Sequence, residues 1–121
     1  MKSDNKVAVS ERCYRFSVRL VKFIKKLPEK RVYWTISDQL LRAGTSIAAN
    51  IIEGKGASSR KDFINYYQIA LKSANETVYW MNLLKDGLDL NDVELEGLRQ
   101  EGEELPRIIA ACVVSLKIIK K

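Results

Sequence analysis

The sequence predicts an all-α protein, an antiparallel up-and-down four-helix bundle. Four stretches repeat apolar residues every three or four positions, which is the period of one helix face. No stretch alternates apolar and polar residues between hairpin turns. The breaks fall at Pro28, at Gly54 and Gly56, and from Gly87 to Asn91, and they leave connections so short that neighbouring helices are expected to run antiparallel. With 121 residues, one domain over 1–121 accounts for the chain and can bury roughly two-thirds of the surface its unfolded form exposes.

The first helix, about 10–27, is expected to start with Ser10 as N-cap and Glu11 in its first turn, and to stop before Pro28. Cys13, Phe16, Leu20, Phe23 and Leu27 form its apolar face. Displaced by one residue, roughly 100° around the helix, Arg12, Arg15, Arg19, Lys22 and Lys26 repeat the same spacing. One side is core and the adjoining side is a cationic ridge.

The second helix, about 35–53, carries Ile36, Leu40, Ala43, Ile47 and Ile51 on one face. Arg42, Ser46, Asn50 and Glu53 line a second, polar stripe, and Ala43, Gly44, Ala48 and Ala49 are small enough for a close helix contact. Gly54 is placed to end the helix as a left-handed C-cap. In the third helix, about 59–86, Ser59 with Asp62 forms a start resembling a capping box. Phe63, Tyr67, Ala70, Ala74, Thr77, Met81, Leu84 and Leu88 then make a seam like that of a coiled coil.

The fourth helix, about 91–120, opens with Asn91 and Glu94 and runs from an acidic start to a basic end at Lys117, Lys120 and Lys121, as the helix dipole favours. Pro106 interrupts its seam and should kink or split it near Gly102. From Ile108 to Leu116 the helix is apolar almost all round, which in so small a domain points to a subunit interface.

Composition excludes whole classes of function. The chain has no histidine, hence neither the commonest metal ligand nor the commonest general base, and Cys13 and Cys112 lack a second thiol at ligand spacing. Both cysteines read as core residues. No metal, cofactor, activated nucleophile or tuned acid/base pair is expected, and the protein is read as no enzyme. No apolar run is long enough to cross a bilayer and the start lacks a signal peptide's apolar centre, so a cytoplasmic location is expected. The net charge of +6 is uneven: residues 1–31 hold ten Lys/Arg against three Asp/Glu.

Three groups of residues are candidate sites. The ridge Arg12, Arg15, Arg19, Lys22 and Lys26 can follow a phosphate backbone, or it can be a solvated face paired with the acidic start of the fourth helix. The chain shows no aromatic platform of the kind that reads exposed bases, so backbone or shape recognition is expected. Lys55, Ser59, Arg60 and Lys61 lie at the start of the third helix, where an anion could bind, although the order G-x-x-x-x-G-K-[ST] is absent and a flexible capped turn is the favoured reading. Arg42, Ser46, Asn50 and Glu53 read as a structural polar network that sets helix register, with Arg42 or Lys72 balancing Glu53 or Glu76. A small-ligand pocket is the other reading of that stripe.

The run from Gln39 to Gly54, with Arg42-Ala43-Gly44 and Ser46-Ile47-Ala48-Ala49-Asn50-Ile51 at its centre, is followed by Ser59, Asp62 and Phe63, then by Tyr67, Ile69, Ala70, Ser73, Ala74 and Glu76. This pattern resembles the bacterial four-helix-bundle family named for proteins encoded in intervening sequences of 23S rRNA genes and sometimes labelled ribosomal. The resemblance covers about 10–120, and Pro106 departs from its pattern. It implies a small helical bundle without assigned enzymatic activity that forms a homo-oligomer, a pentameric ring in relatives. A similar branch, the accessory variability determinant of diversity-generating retroelements, is a basic pentamer working with a reverse transcriptase and nucleic acid. The reading is therefore a self-assembling protein that contacts RNA or DNA backbone through the first helix. The alternative is an interaction scaffold or adaptor without nucleic-acid affinity, whose ridge meets an acidic protein partner.

Overall fold

The computed structural model describes residues 8–118. Helix α1 spans Val9–Lys25, α2 Arg31–Gly54, α3 Arg60–Gly87 and α4 Val93–Ile118, and no strand occurs among the described residues. The connections 26–30, 55–59 and 88–92 are five residues each. Five residues reach at most ~18 Å, less than the roughly 25 Å of even the shortest helix, so consecutive helices run antiparallel. Their backbones meet around a ring, α2 against α3 most extensively and α1 against α4 least.

The seams expected from periodicity form the core. Phe16 and Leu20 of α1, Leu40, Ile47 and Ile51 of α2, Met81 and Leu84 of α3, and Leu98, Leu105 and Ile109 of α4 are buried. Glycines set how closely the helices approach. A Cβ on Gly44 would overlap the Leu20 side chain, and one on Gly102 would overlap Met81 Cε. Gly102, expected to weaken α4, is thus a packing position between α3 and α4. Gly54 likewise is no left-handed cap: it ends α2 in helical conformation, Lys55 following at φ −64°, and a Cβ there would lie 3.0 Å from Tyr66 Cβ. Its small size serves the α2–α3 contact.

Several helix ends differ from expectation for local reasons. Ser10 lies within α1, which starts after Ala8 without a side-chain cap, and its Oγ accepts from Lys55 Nζ at 3.2 Å. Helix α2 begins four residues before Thr35, which sits inside the helix and donates its hydroxyl to the Arg31 carbonyl at 2.9 Å. Ser59 caps α3 as expected, accepting from the Asp62 amide at 3.1 Å. At the start of α4 the cap is Asp92, one residue after Asn91; its Oδ1 accepts from the Leu95 amide at 3.0 Å. Helix α4 runs through Pro106 without a break, so no split occurs. Ile119, Lys120 and Lys121, assigned above to the end of this helix, lie outside the described residues.

Candidate functional site

The α1 ridge does not behave as one unit. Arg12 turns onto α4: Nε donates to Glu101 Oε2 at 2.7 Å, Nη2 to Glu101 Oε1 at 2.9 Å, and Nη2 to Glu104 Oε1 at 3.2 Å. The hydrogen bonds to Glu101 outweigh partial burial and hold the guanidinium pKa above its ordinary value. Two-pronged pairing of this kind ties α1 to α4. Arg15 pairs along its own helix with Glu11 at 2.7 Å, both exposed. The Arg19 guanidinium crosses the backbone of Gly97, where a Cβ would stand 2.9 Å from Nη2. Arg19, Lys22 and Lys26 enter none of the ion pairs among the described residues.

Between α1 and the second half of α4 the bundle opens into a groove of ≈ 890 Å³. Phe63 and Tyr67 of α3, edge to face at 5.1 Å, share its lining with Phe16, Ile108, Cys112 and Leu116, and Arg12, Arg15 and Arg19 follow one rim. Cys13 is fully buried, and burial pushes its thiol up to about 12. Cys112, expected in the core, instead reaches the groove, and partial burial raises its thiol pKa too. Neither is an activated nucleophile, which requires a lowered pKa. Beside the groove, α4 leaves Ala111, Val114 (56%) and Ile118 (72%) exposed. These positions repeat at 3 and 4, an uncovered apolar stripe.

The other two groups are not brought together as units. Ser46 Oγ shares a 2.9 Å hydrogen bond with Ser73 Oγ, and Asn50 Nδ2 donates to the Ser46 carbonyl and hydroxyl at 2.8 and 2.9 Å. Arg42 pairs instead with Asp38 on the surface at 3.1 Å, Glu53 is exposed, and Glu76 accepts from Trp80 Nε1 at 3.1 Å. Around the α3 start, Lys55 reaches Ser10, Ser59 is spent on its own helix, and Arg60 Nη1 donates to the Leu116 carbonyl at 3.2 Å. Arg60 and Lys61 share a shallow cleft with Asp62 and Lys117. The four side chains do not converge on one point.

One feature escaped sequence reasoning. Trp34 in the first turn of α2 is 68% exposed, next to the connection that carries the C-terminal cations of α1. Its position fits no apolar periodicity, and that misfit was the available signal. Among the described residues no cluster of His, Cys, Asp and Glu could hold a metal ion, and no helix is long and apolar enough to cross a membrane.

Comparison with known proteins places this geometry in a wider group. The family described as 23S rRNA-intervening sequence protein matches residues 5–111. A protein of unknown function from the S23 ribosomal protein family of Bacteroides thetaiotaomicron VPI-5482, whose crystal structure was determined at 1.70 Å resolution, is 38% identical. The match covers 88% of this chain and 98% of that one, with a TM-score of 0.80. No curated protein matches.

Proposed function

The chain belongs to the family of 23S rRNA-intervening sequence proteins, and on that premise we propose that it is a self-assembling, non-enzymatic bundle of the cytoplasm that binds RNA or other nucleic acid along its phosphate backbone. The observation that carries this reading is the run Arg19, Lys22 and Lys26 along one edge of α1, with no anionic partner among the described residues. Arg15 extends it through a solvent-screened pair that a phosphate can replace. Arg12 is a tether between helices and contributes little to binding. No metal or cofactor is needed for such contacts.

Assembly rests on a separate surface, the stripe Ala111, Val114 and Ile118 on α4. An apolar stripe left in water is what a second copy would cover, and a pentamer is the state the family resemblance favours. A ring would repeat the α1 edge around its rim and raise avidity without any new contact.

The test is binding of a structured RNA and of duplex DNA over a salt series. Affinity should fall steeply with salt, by a slope of roughly 0.9 per phosphate contacted on a duplex, and Arg15, Arg19 and Lys22 changed together to Glu should abolish it. Absence of binding at low salt defeats the nucleic-acid reading and leaves the scaffold reading, which the apolar groove beside the arginine rim favours. Light scattering at tens of micromolar tests assembly: Val114→Asp with Ile118→Asp should yield monomers, and a wild-type monomer overturns this half.

A further inference from the structure

We infer that Trp34 and the cations around the α1–α2 connection form a stacking site for an unpaired base, so that the nucleic acid bound is single-stranded at this corner. The inference rests on the nucleic-acid reading above and goes beyond it by naming a second contact and the class of strand; it replaces the expectation that the chain offers no aromatic platform, since Trp34 is exposed.

Charge and an exposed ring coincide here. From 22 to 34 the chain carries Lys22, Lys25, Lys26, Lys30 and Arg31 against a single acid, Glu29. All five cations are exposed, and none pairs with an acid among the described residues. The Trp34 amide donates to the Lys30 carbonyl at 2.8 Å, so Lys30 lies one turn below the ring. Arg31, three residues before Trp34, shares its side of the helix. Lys25 and Lys26 close α1 at the same end of the bundle.

Fold stability does not explain the arrangement. The other indole, Trp80, is half-buried, packs edge to face on Tyr79 at 4.9 Å and donates to Glu76. Trp34 makes no such contact among the described residues, and a large ring in water contributes little to a core. Nor do the cations suit the helix, since Lys30 and Arg31 stand at the positive end of the α2 dipole with no acid in its first turn. An exposed aromatic ring with Lys30 and Arg31 within one helical turn of it is complementary to a base flanked by phosphates. Single-strand binders combine these two elements, a stacking ring and a cationic track. From the same end of the bundle, Lys26, Lys22 and Arg19 run along the edge of α1 that faces α4. A duplex keeps its bases stacked inside and offers the ring nothing to cover.

The experiment titrates the whole protein with an oligo(U) of about ten nucleotides and with a duplex of the same length, using a Trp80→Phe background so that Trp34 is the sole tryptophan and can be excited selectively over the tyrosines. Oligo(U) should quench Trp34, and Trp34→Ala should weaken its binding about tenfold or more, as loss of one stacked base does. Trp34→Phe, which keeps a ring, should recover most of that loss. Duplex binding should be indifferent to both changes. If Trp34→Ala binds oligo(U) as wild type does while the triple-Glu ridge variant fails, the stacking site is refuted and the ridge reading stands. No binding of either probe at low salt ends both readings. If acrylamide cannot reach Trp34 in the protein without nucleic acid, another copy covers the ring and the inference is overturned.

Discussion

The α2–α3 and α1–α4 pairs solve the same packing problem by opposite means. Between α2 and α3 small residues stand at the contact: Gly54 against Tyr66 and the Ser46–Ser73 pair let two backbones close on each other. Between α1 and α4 the reach is bridged by a long side chain, Arg12 to Glu101 and Glu104, and beyond that bridge the helices leave an open groove. Small residues seal an interface; a long charged pair holds one at a distance. The sealed pair keeps the fold in register, while the bridged pair bounds the surfaces given functional roles above, the basic edge and the uncovered α4 stripe.

The contrast can be broken most forcefully on its sealed side. Ile51→Ala removes a fully buried side chain from α2 and should cost about 2–5 kcal/mol in denaturant unfolding. Ile108→Ala, in the groove, should cost well under half of that, and equal losses would show the groove to be as tightly packed as the core. Next in size is the bridge. Arg12→Ala leaves the mostly buried Glu101 without its partner and should cost about 1–2 kcal/mol, with a double-mutant cycle against Glu101→Ala returning a coupling of similar size. Ser46→Ala should lose about 1 kcal/mol, since it withdraws one hydroxyl from both Ser73 and Asn50. Arg15→Ala should change stability by no more than about 0.5 kcal/mol, its pair with Glu11 being exposed. A thiol reagent at neutral pH leaves stability aside and reads access alone: Cys112 in the groove should react, and Cys13 should wait for unfolding.

The fold was legible where burial repeats along a helix. Phe16, Leu20, Leu40, Ile47, Met81 and Leu84 announce their faces by spacing alone. Helix ends were less so, because a glycine or serine has more than one use. Gly54 and Gly102 look like breakers in a sequence and are close-contact positions in space; Ser10 looks like a cap and lies inside α1, and Thr35, the expected start of the second helix, lies a turn inside α2. Lys30, with no capping side chain, gave no sign that α2 starts beside it. At the candidate site, the ridge was visible as a stripe. Its division into a tether and an open edge was not, because Arg12 finds Glu101 only once α1 and α4 lie in register. The exposure of Trp34 is equally a tertiary fact.

The ring of helices closes in a particular sequence separation. The α1–α2, α2–α3 and α3–α4 contacts each join neighbours through five-residue connections, and only α1 with α4 links the two ends of the chain. Local contacts form with little loop-closure entropy, so folding should be fast and should complete the α2–α3 hairpin early. The Arg12–Glu101 contact, 89 residues apart in sequence, then acts as a latch set late in folding. Its removal should accelerate unfolding while leaving the folding rate nearly unchanged.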